Sequence, residues 1–499
     1  MTPTEMITLT TKEFLYNQDE ARKEIHEKFY HYYKGNDAQV KEYLTSALSI
    51  TYSADRISQF QLNYINITNK LINQLAVIYK QPATRKLAKL GNDGKYIVDE
   101  KATEYLKKIL PIDINTQDKT AHRFAKLFGS SFTQVLFKDG TIKYRVHPNQ
   151  QLTIRCEEDD IEKMNLLMYD RECNKDGRPE ITTVVWTEDA HYKLDELGNI
   201  ESIENNEANV NPYECIPFAK LILNHGEDIW GVGQGDAINV NEQINFLLTK
   251  LMNDDVVLGT AGTVLAVNLG LTKKGTVDGD ETGVREVKIG VKNPITVENA
   301  RGGDMLPPSL THVSFNPQIE AVKQTIDWYI KTIALTKGLN PNSFLADTQA
   351  TSGYSKIIDS LEQLEIRQDD LEACRVFEKE RFEITREVNN YFAQSTEGRE
   401  YKLQTISEDL EMLIDFAEIE IPKTPDEIWR DRENRIKYNM ASPVDFIIEE
   451  NPDEDKTSAQ EIINENKLIN ETMKPKTEGQ SLLNQFLNKK ENPNEQTGQ

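Results

Sequence analysis

The sequence predicts an α+β fold on three observations. Apolar residues recur at helical spacing through the first ~80 residues. From about 130 to 225 the period changes to two, with Asp-Gly turns between the runs. Beyond 236 long helical stretches return on either side of a β-rich segment.

In order, Phe14 to Tyr33 reads as a helix stopped by Gly35-Asn36-Asp37. Ile65, Leu71, Ile72, Leu75, Ile78 and Tyr79 mark a second, which Gln81-Pro82 would break. Residues 100–130 give two more, divided at Pro111. Phe132 to Phe137, the turn Lys138-Asp139-Gly140 and Thr141 to Val146 form a hairpin. Leu166 to Tyr169, the turn 174–177, Ile181 to Trp186, His191 to Leu194 and the turn at Gly198-Asn199 continue an antiparallel meander. A helix over 236–258 carries Ile238, Val240, Ile244, Leu247, Leu248 and Leu251. Residues 259–315 read as short strands and turns. A helix near Pro317 follows, with Ile319, Val322, Ile326, Tyr329, Ile330 and Ile333 spaced by three and four. Residues 338–353 are a break, and Tyr354 to about Gln394 is one helix of roughly 60 Å. A short segment from Phe416 to Ile421, a helix from Asp426 to Tyr438 capped by Thr424-Pro425, and another from Ser442-Pro443 complete the order. The tail beyond ~475 is Asn-, Gln-, Lys- and Glu-rich, a composition expected of disorder.

At 499 residues the chain is long enough for two to four domains. Its 58 Lys and Arg against 82 Asp and Glu give a net charge of −24, which weighs against a protein that wraps nucleic acid by neutralising phosphates. No apolar run reaches the ~20 residues that span a bilayer, and no signal peptide opens the chain, so the expectation is a soluble protein made in a cytoplasm, without membrane partners. Cys156, Cys173, Cys215 and Cys374 lie far apart and read as small buried hydrophobes. The seven histidines show no metal-ligand spacing, and no cofactor is expected.

Three motifs invite chemistry and fail on inspection. Trp230-Gly-Val-Gly-Gln-Gly-Asp236 has the look of a phosphate loop, but Asp236 stands where the dinucleotide fingerprint needs glycine. The expectation is a flexible turn whose aspartate caps the next helix. Glu172-x-Asn174-x-Asp176-Gly177 opens like an EF-hand loop, but position twelve would be Thr183 and β-runs flank it, so a hairpin turn is expected. Glu157-Glu-Asp-Asp160 and Asp453-Glu-Asp455 read as solvated loops. No catalytic constellation is visible, and the chain is expected not to be an enzyme. Two other readings stay open: a nucleotide- or metal-dependent cytoplasmic enzyme with an unrecognised site, and an oligomeric scaffold or adaptor. The helix at 354–394 lacks a strict heptad repeat, which weighs against the latter.

Asn63-Tyr-Ile-Asn-Ile-Thr-Asn-Lys-Leu-Ile72 with Tyr79-Lys-Gln-Pro82, Gly231-Val-Gly-Gln-Gly-Asp236, Gly353-Tyr-Ser-Lys356, Ser442-Pro-Val-Asp445 and Glu450-Asn-Pro-Asp453 occur in a suggestive order. In that order, over residues 25 to 475, the chain resembles the portal proteins of tailed bacteriophages, of siphophage-type organisation and comparable subunit length. The resemblance implies a portal fold: a mainly helical wing with antiparallel strands, paired stem helices, a small α/β clip insertion, a long helix and a helical crown. The corresponding expected bounds are an N-terminal wing part at 1–235, stem helices at 236–258 and 316–337, and the clip at 259–315. The tunnel loop would be 338–353, the long helix and remaining wing 354–440, the crown 441–475 and the disordered tail 476–499.

The resemblance further implies a ring of twelve copies at one capsid vertex of the virion, with double-stranded DNA passing through it during packaging and ejection. Its partners would be the terminase large subunit, a head–tail adaptor, and the major capsid and scaffolding proteins. Asn340, Asn342, Ser343, Phe344, Leu345, Asp347 and Thr348 of the tunnel loop would meet DNA, through steric or polar contact, because the loop holds no lysine or arginine between Gly338 and Gly353. Asp254 and Asp327 are the stem positions whose reversal is expected to hinder sliding. A net acidic wall repels the duplex, whereas a basic one would pin it.

Overall fold

The computed structural model describes residues 9–91, 94–175, 178–196, 198–203, 206–255, 263–267, 269–272, 296–299, 309–313, 319–341, 344, 353–417, 425–451 and 455–473. The chain is α+β and divides into two compact units, Met1–Ile419 and Glu420–Gln499.

In the first unit α1 (Leu9–Lys34) runs to Gly35, whose φ of +70° lets the Gly35 and Asn36 amides turn back onto the His31 carbonyl. Helices α2 (Asp37–Ser49) and α3 (Ala54–Ile57) follow and share a small core of Leu44, Leu48 and Ile57. Residues 61–66 form no regular element. Helix α4 (Ile67–Leu75) starts at Asn66, whose side chain accepts the Asn69 amide at 3.0 Å. Pro111 falls between α5 (Glu100–Ile109) and α6 (Ile114–Phe128), as the sequence predicts.

The strands build three antiparallel sheets in this region. Strands β1 (Thr84–Leu90) and β2 (Tyr96–Val98) join β15 (Leu410–Asp415) in the order β15-β1-β2. Strands β3 (Ser130–Lys138), β4 (Thr141–His147) and β10 (Phe218–Ile222) make a second, ordered β10-β3-β4. Asp139 and Gly140 both have positive φ, 55° and 77°, as a two-residue hairpin with the sheet's twist requires. The third is the expected meander, β5 (Leu152–Cys156), β6 (Met164–Lys175), β7 (Arg178–Thr187), β8 (His191–Leu194) and β9 (Ile200–Glu201), paired in sequence order. The EF-hand-like stretch is its β6–β7 hairpin, with Lys175 opposite Arg178.

Further along come α7 (Gly235–Lys250), α8 (Ile319–Thr336), α9 (Gly353–Gln394) and the short α10 (Thr396–Glu400). Beyond the π-turn Leu251–Asp255 that ends α7, the described residues before α8 are all strand: β11 (Thr263–Val267) pairs with β14 (Ser309–Val313), and β12 (Leu269–Thr272) with β13 (Thr296–Asn299). The 42-residue α9 is the long helix of the sequence reading. It lays Cys374, Phe377, Phe382 and Val388 into the main core beside Leu87, Leu106, Val135, Tyr144, Leu221 and Met412.

Four charges enter that core with them. Arg381 donates to Asp118 (2.6 Å) and Glu378 (2.7 Å), and Arg85 donates to Asp118 (2.5 Å) and to both Glu378 oxygens (2.8 and 3.0 Å). The Tyr79 hydroxyl adds a 2.9 Å bond to Glu378. All four charged side chains are at most 8% exposed. Two cations and two anions cancel, and each carboxylate is held by both guanidiniums. Burial raises Glu378, but Arg381 and Arg85 outweigh it and bring the carboxyl down to about 2. Burial instead keeps Asp118 above its usual value, against the pull of Arg381.

The second unit contains α11 (Pro425–Lys437), α12 (Pro443–Glu450) and α13 (Lys456–Met473). Ser442 and Asp445 form a reciprocal capping box at α12, where Ser442-Pro443 predicts a start. Arg432 and Arg435 of α11 lie over the Phe446 ring at 5.4 and 5.1 Å and pair with Glu450 and Glu449.

Several expectations need correction. The sequence reading passes over the strand at 410–415; of the short segment Phe416 to Ile421, Phe416 is a core residue just past that strand, and 418–421 lie outside the described residues. Among the described cysteine side chains only Cys374 is buried, whereas Cys156 and Cys215 are half-buried; the Cys173 side chain lies outside the described residues. The helix expected over 236–258 is α-helical to Lys250 and continues as a π-turn over Leu251–Asp255. The helical part of an α/β clip, the Thr424 cap and the tail lie outside the described residues.

Replacing Arg381 with Met should leave two buried carboxylates to one arginine and lower the unfolding free energy by about 3–5 kcal/mol in denaturant titration. Glu378, with its lowered folded value, contributes stability above the unfolded value of 4.5 that is lost as pH falls toward about 2. Glu378→Gln should remove that part of the acid slope.

Candidate functional site

The loop before α7 is packed, and its Trp230, Gly231, Val232 and Gln234 amides are spent. Gly231 has φ +67°, and a Cβ there would meet the Asn224 carbonyl; one on Gly233 would press on the Phe29 ring and on the Leu127 and Phe128 carbonyls. Val232 N donates to Asn224 O (3.1 Å), Gln234 N to Leu127 O (3.0 Å) and Trp230 N to Asp228 Oδ1 (2.9 Å). The Arg22 guanidinium stacks 3.5 Å from the Trp230 ring. The glycines therefore serve close backbone packing, and the expected flexible turn is a fixed one. Gln234 occupies the N-cap position; Asp236, in the first turn, accepts the Ala237 amide on Oδ1 (2.8 Å) and pairs through Oδ2 with Lys337 at 2.7 Å.

That ion pair joins the start of α7 to the end of α8, so the two helices run antiparallel. Beneath it Ala237 of α7 and Ile333 and Ala334 of α8 share a core with Leu71, Leu75 and Leu339. Small side chains at 237 and 334 bring the helices together. Asp327 and Trp328 of α8 are exposed, Trp328 by 58%.

A second face of α7 carries Asn241, Asn245, Thr249 and Asn253, four residues apart. Each accepts a backbone amide from alternate residues of the 61–67 segment, in antiparallel order. Ile67 N reaches Asn241 Oδ1 (2.8 Å), Ile65 N reaches Asn245 Oδ1 (2.8 Å), Asn63 N reaches Thr249 Oγ1 (3.1 Å) and Gln61 N reaches Asn253 Oδ1 (2.8 Å). The spacing works because four helical residues rise about 6 Å and two extended residues about 6.6 Å. Asn253 also donates to the Thr249 carbonyl at 2.7 Å, at the point where the helix passes into the π-turn that holds Asp254. The sequence reading names only the apolar positions of this helix and passes over these polar ones. The available signal was their chemistry: a repeat of Asn, Asn, Thr and Asn with no charge suits backbone recognition better than a solvated face.

After α8, Gly338 (φ +65°) turns the chain, and Leu339 N bonds Ala334 O at 2.9 Å. Of the loop residues, Asn340 is half-buried, and Phe344 packs on the Leu71–Ile333 core with Lys70 Nζ 5.0 Å above its ring. The fold thus supplies a cation at the root of a loop that has none in sequence. Asn342, Ser343, Leu345, Asp347 and Thr348 lie outside the described residues, as does the Asp254 side chain.

Elsewhere, a concavity of about 350 Å³ lies between α9 and the sheets, with Glu188, Glu214, Glu383 and Glu387 among its lining. Its cations are paired, Lys220 with Glu380 (3.1 Å), Lys163 with Glu157 (2.6 Å) and Arg386 with Glu387 (3.4 Å), and burial pushes its Cys215 thiol up to about 11. Such a thiol is a poor nucleophile at neutral pH. Among the described residues no group of three His, Cys, Asp or Glu side chains could hold a metal ion.

No protein-family model matches the chain, and no curated protein matches it. Among solved structures, a chain from the neck of an empty gene transfer agent particle is similar at a TM-score of 0.34 and 12% identity, over 78% of this chain and 90% of that one. A chain from the virion of a native gene transfer agent particle is similar at the same TM-score and identity, over 79% and 94%. A likeness of that size supports no inference about role.

Gly231→Ala should lower stability by about 2–4 kcal/mol by calorimetry, because it strains a left-handed backbone against a fixed carbonyl. By amide exchange, Asn63 and Ile65 should be protected relative to Leu62 and Tyr64, an alternation otherwise confined to strands.

Proposed function

We propose that the chain is a portal subunit, a structural protein that closes with about twelve copies into a ring at one capsid vertex and conducts double-stranded DNA in packaging and ejection. The observation that supports this best is the order of parts around α7 and α8. Two antiparallel helices are tied at one end by Asp236 and Lys337, and a β-insertion separates them in sequence. The β11–β14 pairing brings the two ends of that insertion together, as an appendage on the helix pair requires. A loop and a 42-residue helix follow. This is the order that the resemblance to portal proteins implies, with α7 and α8 as stem, the insertion as clip and α12 and α13 as crown.

In this reading the clip meets the terminase large subunit and later the head–tail adaptor, and the outer parts meet capsid and scaffolding proteins. The chain's −24 charge, repeated around a ring, keeps the wall from binding the duplex tightly. Asp327, exposed on α8, is one of the acids this reading sets on the stem. No helix among the described residues is long and apolar enough to cross a membrane.

Asp327→Lys should leave ring mass unchanged but reduce DNA packaged per particle several-fold, most strongly at low salt where an added cation grips phosphate hardest. Unchanged packaging and ejection for both Asp327→Lys and Asp254→Lys would refute the sliding wall.

A further inference from the structure

The four rungs between α7 and residues 61–67 are unequal. The lower two are two-sided. Thr249 Oγ1 accepts from Asn63 N and donates to Asn63 O (3.1 Å), and Asn253 accepts from Gln61 N and donates from Nδ2 to Gln61 O (2.9 Å). The upper two are one-sided. Asn241 and Asn245 accept an amide each, yet their Nδ2 groups have no hydrogen-bond partner although the residues are 1% and 0% exposed. Two adjacent buried carboxamides thus carry donors with nothing to give them to, a costly arrangement in a folded interior.

A competing claim on the upper end of the segment explains the difference. Asn66 caps α4 through the Asn69 amide, and the Nδ2 groups of Asn66 and Asn69 both bond the Tyr33 carbonyl of α1, at 3.2 and 3.0 Å. These bonds hold residues 65–67 toward α1 and α4. Ile65 itself offers little resistance to a shift, being 48% exposed, while Tyr64 adds to the hold on the α1 side through its hydroxyl bond to Gly35 O (3.2 Å). Drawing the segment inward would let Asn245 Nδ2 reach the Ile65 carbonyl and Asn241 Nδ2 the Ile67 carbonyl, the pattern already present at Asn63 and Gln61. A carbonyl that already accepts one bond has a lone pair for a second.

We propose that residues 61–67 are a strap poised to close on α7, held half open by the Asn66 and Asn69 bonds to α1 and α4. The open strap holds α7 by single bonds at its upper two rungs and by paired bonds at its lower two; the closed strap holds it by paired bonds along all four. Closing is therefore a means of moving or fixing the α7–α8 pair from the α1–α4 side, whatever the chain's assembly.

The test is residue-resolved amide exchange on the full chain, comparing wild type with Asn66→Ala. If the strap is poised, removing its competitor slows exchange at Ile65 and Ile67 by about fivefold, the effect of one added hydrogen bond each. Asn241→Ala with Asn245→Ala in the same background abolishes that gain. A fixed half-ladder predicts the opposite sign: losing the cap frays α4, and the same amides exchange faster. Faster or unchanged exchange overturns the proposal. Should Asn66→Ala fail to fold, Asn69→Ala removes one tie to Tyr33 and carries the same comparison with the same signs.

Discussion

The Arg85–Asp118–Glu378–Arg381 cluster is the interaction on which the first unit depends. It joins β1, α6 and the long α9, segments separated by up to 293 residues, inside a core lined by Tyr79, Tyr144 and Phe377. Four charges can sit there because every one has two partners, and the ring faces beneath Arg381 complete its surroundings. A helix of 42 residues presents more polar surface than it can hide. Placing its buried charges against their complements fixes its register along the sheets more sharply than apolar packing alone.

From that anchored helix the rest follows by contact. Helix α9 covers β3 and β10, whose pairing brings Gly129 against the Gly231-Val232 backbone, and the glycine loop there leads into α7. The 61–67 segment then joins α7 to the N-terminal helices through backbone hydrogen bonds. Rigid packing thus surrounds the helix pair on one side, while on the other a polar ladder with two spare donors leaves room for adjustment.

The legible parts of the fold were those written locally. Helix α9 announced itself through forty residues of 3.6 periodicity, and the β3–β4 and β6–β7 hairpins through Asp-Gly turns. The β1–β15 pairing was not legible, because two short strands some three hundred residues apart carry no mutual signal in one sequence. The charge cluster was hidden for the same reason: Arg381 and Glu378 read as two more charges on a charged helix until Asp118 and Arg85 met them. At the candidate site the two helices and the intervening β-segment were readable. The ladder was not, since its partner is a segment without periodicity. The cation above Phe344 came from Lys70, far from the loop in sequence.

The most direct measurement is the native mass of the purified full-length chain, followed by particle imaging. A portal subunit should give a closed annulus near twelve times 57.1 kDa, with an open axial hole that admits a duplex. A single 57.1 kDa globule in every solvent condition, with no annulus even beside capsid proteins, would contradict the account.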